Sequence, residues 1–403
     1  MFNIKIWIKD KYKKIVNSIA FYPAIIAFAF LVLSYLSISF DFSETGQHLK
    51  SQLEWLKLKD ASTARSIIST VTAGIISLTV FSFSMVMIVL NQTASQMSNR
   101  ILNELIGSRY QQVVLGFYVG TIVYSLFLLS SIRDVDSGLQ IPVLSTYLLI
   151  LFTVIDVFLF IYFLHYITQA VKYEVIIRRI YRDTKNVLEN SCTVKLQQPD
   201  TPAFESNFFV NTNLSGVYEG FDKDAIISIC RENKCSLYFL HTPGTFILKG
   251  LPVAKVSEDL PDGVCEKIQS SVYVNESESI SENFFYGFRQ LTEVAIKALS
   301  PGINDPATAI ESLRSLFRLF EYRICNFPES NIYIKEENVK IISKELTFGK
   351  IFSDTVLPIW DYGKNDRMIQ NELHNLLLQL NDIIHIAEVS KLLLEVVETK
   401  TSK

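Results

Sequence analysis

Long apolar blocks and short alternating runs divide this chain at about residue 170. Before that point four blocks, at about residues 19–40, 64–90, 113–132 and 143–166, carry almost no charge. At about 1.5 Å per helical residue each is long enough to cross the roughly 30 Å apolar core of a bilayer. The first block, "IAFYPAIIAFAFLVLSYLSISF", is too long and too aromatic for a signal peptide, and no small-residue cleavage site follows it. It predicts an uncleaved first span. Helical spacing continues past the fourth block through Ile167, Val171, Val175 and Ile176, and a polar linker follows.

From about residue 208 the period shortens. "CSLYFLHTPGTFILKGLPVAKV" reads as strand, Pro-Gly turn, strand, Gly turn, strand. Its turns look like those of biotinyl- or lipoyl-type barrels, but no lysine flanked by methionines is present to carry a swinging arm. From about residue 282 apolar spacings of three and four return, ending in one long helix or a helix pair. The pattern therefore predicts an α-helical integral membrane protein with a cytoplasmic α+β region. Its parts are an N-terminal segment (1–18), four transmembrane helices (19–170), a helical extension and linker (171–207), a small β-rich module (208–280) and a helical domain (281–403).

Charge gives the orientation. Lys5, Lys9, Lys11, Lys13 and Lys14 precede the first span; Arg100 and Arg109 follow the second; Lys172, Arg178, Arg179 and Arg182 follow the fourth. The other loops carry Asp41, Glu44, Glu54, Asp60, Asp134 and Asp136. The positive-inside rule puts both termini in the cytoplasm. A net charge of −3 gives no electrostatic case for nucleic acid. The five cysteines form no CxxC pair and no His stands at ligand spacing, so reduced thiols are expected and no metal or cofactor is.

Two features invite chemistry. The first is the second span, where Thr63, Thr70, Ser77, Ser84, Asn91 and Ser98 recur every seven residues. Seven residues are nearly two turns, so they form one slowly drifting stripe. Small hydroxylated residues suit close helix contact. A hydroxyl stripe also suits a pore wall in a symmetric homo-oligomer, with Phe81 and Met85 as candidate gates. Asp156, the one acid deep in a span, is a functional candidate by default; its structural alternative is a protonated acid bonded to a neighbouring hydroxyl.

The second feature is "ALSPGINDPATA", residues 298–309. Ser300-Pro301-Gly302 stops one helix, and Asp305 with Pro306 starts the next. Only Asn304 is unexplained by that account. A binding or oligomer-contact role would use Asn304, Asp305, Thr308 and Arg289.

The stretch "FFYGFRQLTEVAIKALSPGINDPATAIESL" resembles the signature of a family of uncharacterised bacterial inner-membrane proteins, domain of unknown function 2254. So do "ARSIISTVTAGIISLTVFSFSMVMIVLNQTASQMSNRIL", "LHYITQAVKYEVIIRRI" and the β-rich segment. The chain departs from that pattern at Ser98-Asn99-Arg100, where the family tends to Ser-Pro-Arg, and at Glu293, where it tends to Asp. The resemblance implies the architecture and a bacterial inner membrane, and no activity.

The residues therefore set the function classes. No phosphate loop, HExxH or GxSxG occurs, and the five histidines lack a partnered nucleophile, which speaks against an enzyme. A homo-oligomeric ion channel or transport pathway, regulated by the cytoplasmic domain, is the leading reading. The alternative is a non-conducting membrane scaffold or sensor that binds a ligand or protein. The expected partners are lipid, further copies of the chain, and ions or a small ligand.

Overall fold

The computed structural model describes residues 20–52, 61–96, 109–132, 141–170, 172–195, 206–275, 278–334 and 339–401. The N-terminal lysines, Ser98, Asn99 and Arg100, Glu54, Asp60, Asp134 and Asp136 lie outside them. The chain forms two compact units, residues 1–95 with 99–172 and residues 96–98 with 173–403.

The first unit holds α1 (Phe21–Phe42), α2 (Glu44–Gln52), α3 (Ala61–Gln96), α4 (Arg109–Ser131) and α5 (Val143–Ala170). All but α2 are long and apolar enough to cross a membrane. α4 is the central helix: 44% of its apolar window is buried, against 17% in each of the other three. Its sequence GFYVG explains how α1 comes so close. A Cβ at Gly116 would stand 2.6 Å from Ile26 Cδ1, and one at Gly120 would stand 2.8 Å from the Phe30 ring. This small-xxx-small spacing lets two spans approach where no hydrophobic force drives them together. Phe30, Ile68, Tyr124, Leu128 and Leu149 fill the core at one level; Ile75, Val114, Tyr118, Phe163 and Ile167 fill it at another.

Asp41, counted above as a loop acid, is fully buried. Its carboxylate accepts from the backbone N–H groups of Leu144 (3.2 Å) and Ser145 (2.7 Å) and from the Ser145 hydroxyl (2.6 Å), and pairs with Lys50 at 2.6 Å. It caps α5 from another helix, where free N–H groups and the helix dipole favour an anion.

The second unit runs α6 (Tyr173–Ser191), β1 (Phe208–Asn211), β2 (Gly216–Phe221), α7 (Lys223–Asn233), β3 (Leu237–Phe239), β4 (Thr245–Ile247), β5 (Pro252–Val256), α8 (Asp262–Ser270) and β6 (Val272–Asn275). Then come α9 (Phe285–Ala298), α10 (Pro306–Cys325), β7 (Asn331–Ile334), β8 (Val339–Ile342), α11 (Phe348–Gly363), α12 (Arg367–Ile383) and α13 (Ala387–Thr401). One sheet has the order β1-β5-β3-β8-β7 and the other β4-β2-β6. The β3–β8 pair is parallel and the remaining pairs are antiparallel. Two strands of the larger sheet thus come from residues 331–342, inside the stretch that the sequence reads as helical.

Val210, Phe239, Ile268 and Ile341 sit in the sheet core. The helices close around stacked rings, with Phe320 at 5.4–5.5 Å from Phe288, Phe348 and Phe352. α6 buries Ile176, Ile177, Ile180, Thr184 and Leu188, an amphipathic face of three- and four-residue spacing. It lies so close to α9 that a Cβ on Gly287 would fall 1.7 Å from Thr184 Oγ1.

Candidate functional site

The hydroxyl stripe of α3 faces away from its own bundle. Thr63, Thr70, Ser77, Ser84 and Asn91 are exposed, whereas Ala64, Ile68, Thr72, Ile75 and Ser82 are buried against the neighbouring spans. The Ser77 hydroxyl donates to the Ala73 carbonyl (2.9 Å) and that of Ser84 to Val80 (2.8 Å). These groups are satisfied by their own helix, which makes them tolerable in an apolar environment. Beside them Gly74 has open space where a Cβ would stand. Among the described residues Ser77 and Ser84 are thus exposed, and their hydrogen bonds stay within α3. Of the gate candidates, Phe81 shares the outward surface, in an edge-to-face contact with Phe160 at 5.8 Å between ring centroids. Met85 does not: it packs on the interior cluster around Ile75 and Tyr118.

Asp156 of α5 points inward and is fully buried. It meets Thr121 and Tyr118 of α4, with Ser82 of α3 beside Tyr118. Thr121 is the hydroxyl partner of the Asp156 carboxylate and Ser82 that of Tyr118, each pair looser than a well-formed hydrogen bond. Residue spacing gave no sign of this grouping, because its members lie up to 74 positions apart in sequence, from Ser82 to Asp156. The signal available was that Tyr118 and Thr121, three apart, share one face of α4, roughly opposite the face of Gly116 and Gly120.

In the second unit the 298–309 corner is built as its capping residues dictate. Asp305 Oδ1 accepts from the Thr308 N–H (3.2 Å), its Oδ2 from the Thr308 hydroxyl (2.6 Å), and Pro306 opens α10. Asn304 takes the left-handed conformation, φ 50°. Asparagine is one of the few residues suited to it, so the residue left over by the sequence has a backbone role. Gly302 needs no such freedom: among the described residues the glycines with positive φ are 220, 244 and 250. Arg289 does not join the corner. It sits nine residues before Ala298 on α9, roughly 14 Å along the helix, and pairs with Glu278 at 3.0 Å. It also lines an open cleft of about 400 Å³ with Phe285, Ser353, Asp354, Leu357, Pro358 and Asp361. Pro358 lies inside α11, so the Asp354 carbonyl lacks its usual helical donor there.

A third buried acid was not visible in the sequence. Glu219 of β2 is 8% exposed and accepts a short hydrogen bond from the Tyr286 hydroxyl on α9. Burial pushes its carboxyl up to about 7, with Glu278 and Glu282 adding repulsion against the downward pull of the Tyr286 and Asn283 donors. Glu345, half-buried, is likewise raised to about 7 by desolvation, although Ser343 and Arg323 pull the other way.

Comparison with known proteins agrees on a membrane protein and supplies no activity. Uncharacterized proteins of Mycobacterium tuberculosis (strain H37Rv) and Mycobacterium bovis are each 22% identical over 270 residues, covering 63% of this chain and 51% of the relative. The chain thus spans about half the length of the curated relatives it matches. No solved structure matches it. A family model described as "Predicted membrane protein" aligns with residues 16–379, nearly the whole chain. The chain therefore belongs to that family, domain of unknown function 2254.

Proposed function

We propose that this membrane protein assembles as a symmetric homo-oligomer in the bacterial inner membrane, with the α3 stripes of the copies facing a shared axis that passes ions. The observation that carries this reading is the outward direction of Thr70, Ser77 and Ser84 on a span whose other face is already packed. A small, hydroxylated strip facing lipid forfeits packing on that side. Facing a second copy or water, it uses both its small size and its spare lone pairs. Ile76, Val80, Phe83 and Ile88, also exposed on α3, are apolar enough to meet lipid or flank the contact. With no fixed charge at Ser77 or Ser84, such a path discriminates weakly between ions. In this reading the second unit lies in the cytoplasm and regulates the path.

Reconstitution in liposomes tests it. Ion flux is expected, and a hydrophilic thiol reagent should change it when cysteine replaces Ser77 or Ser84. Cysteine in place of Val86, half-buried on another face, should respond less. An assembled protein that passes no ions and leaves both stripe cysteines unreacted would give the place to the scaffold reading. There, Ser77→Leu and Ser84→Leu would break assembly by overpacking the contact.

A further inference from the structure

The two sheets and helices α7 and α8 share one core, to which the larger sheet gives Val210, Phe239, Val256 and Ile341 from one face. Strand register fixes what stands on the other face. Phe209 pairs with Lys255, Lys255 with Tyr238, Tyr238 with Ile342 and Ile342 with Asn331, a single row across all five strands. Tyr333 pairs with Lys340 two positions along, on the same face because side chains alternate. Val253 and Ile342 are the buried members of this face; its rings and lysines reach solvent.

Each of the three rings has a lysine beside it. The ammonium of Lys255 stands 5.7 Å from the centroid of Phe209, that of Lys344 5.7 Å from Tyr238 and that of Lys340 5.8 Å from Tyr333. Phe209 is 46% exposed and Tyr333 50%, and Lys340 and Lys344 are exposed. Among the described residues none of the three ammonium groups pairs with a carboxylate. The five strands contain no acidic residue; Glu258 and Glu345 come after the ends of β5 and β8. A chain of net charge −3 thus presents one basic, aromatic surface, about 19 Å across four inter-strand spacings.

A chain with four helices apolar enough to span is held beside a bilayer surface at high effective concentration. Anionic headgroups offer phosphates to the ammonium groups and an interfacial layer that aromatic rings favour. Single-stranded nucleic acid suits the face less well, because bases stack on open rings and here the ammonium groups stand over them. We propose that the outer face of the β1-β5-β3-β8-β7 sheet docks on anionic phospholipid headgroups. Lys255, Lys340 and Lys344 meet the phosphates, and Phe209, Tyr238 and Tyr333 lie at headgroup level. The contact does not depend on the α3 stripe; a conducting or a silent membrane protein can make it.

The experiment uses the full chain in nanodiscs of phosphatidylcholine, alone or with phosphatidylglycerol. Lysines are acetylated by a water-soluble anionic ester, and the rate at each is read by mass spectrometry. Lys255, Lys340 and Lys344 should react several-fold more slowly in the anionic discs and recover in high salt, which screens such contacts. Lys267 is exposed on α8, on the opposite side of the sheet, and should react alike in both. Replacing Phe209 and Tyr333 together by serine, at exposed positions that spare the core, should weaken the protection. Equal rates at the three lysines in the two discs overturn the proposal. So does equal slowing at Lys267, which is repulsion of the reagent by the disc. Two further outcomes also overturn it. Protection by added single-stranded RNA but not by phosphatidylglycerol gives the face to nucleic acid. Protection in phosphatidylcholine discs that grows with protein concentration gives it to a second copy.

Discussion

At Asp305 a single side chain satisfies two partners of the same residue, the N–H and the hydroxyl of Thr308. Asp305→Ala should lower the stability of the folded chain by about 1 kcal/mol, the usual value of an N-cap. Asp305→Asn should be close to neutral in thermal unfolding. Assembly or flux lost in Asp305→Asn, with the unfolding midpoint unchanged, would show that the charge does more than cap. This corner was legible because capping is local: donor and acceptor are three positions apart. Glu219 was not, since its partner Tyr286 lies 67 positions away. Its linkage has a definite sign. The ordinary carboxyl value of 4.5 rises to about 7 on folding, so the folded state holds the proton more tightly. The stability this contributes is full below pH 4.5 and is lost as pH rises through about 7. Midpoints measured from pH 4.5 to 8 should fall for the native chain and fall less for Glu219→Gln. Some slope should persist in that variant, because Glu345 is shifted in the same direction.

Elements were read well where length alone decides them. The four spans are long uninterrupted apolar helices, and their existence follows from composition. What composition does not give is which face of a span meets which neighbour. The seven-residue period of Thr70, Ser77 and Ser84 correctly marked one face of α3, but its direction depends on packing by Ala64, Ile68 and Ile75 on the other. The close α1–α4 contact was instead written in GFYVG. Short strands were harder still: β7 and β8, four residues each, acquire their identity from pairing with each other and with β3. The α6–α9 crossing offers an element-scale test. Gly287→Ala puts a methyl 1.7 Å from Thr184 Oγ1 and 2.6 Å from Thr184 Cβ, so the two helices must separate. Overpacking of this kind costs typically 1–3 kcal/mol. The unfolding midpoint should drop accordingly, and Thr184→Ala in the same chain should recover part of the loss by removing the nearest atom. An unchanged midpoint in Gly287→Ala would mean that the crossing is looser than the Thr184 contact indicates.

For the whole molecule the open quantity is orientation. Four helices among the described residues are long and apolar enough to span; if all four do, both ends of the membrane unit emerge on one side. Arg109 at the start of α4 and Arg178, Arg179 and Arg182 on α6 belong to the side of the second unit's entry point in sequence. The opposite loops carry Lys50, Lys57, Lys59 and Arg133, fewer than the Lys and Arg residues on the entry side. The asymmetry needed by the positive-inside rule is therefore present, and the second unit should be cytoplasmic. Cys325 is the suitable reporter, since its side chain is exposed while Cys192, Cys230 and Cys235 are buried. A membrane-impermeant maleimide applied to intact cells should leave Cys325 unlabelled, and permeabilised cells should label it readily. Labelling of Cys325 in intact cells would invert the molecule. It would put the second unit outside and remove it as a cytoplasmic regulator, while the outward stripe of α3 and the interior hydroxyl pairs at Asp156 would stand as they are.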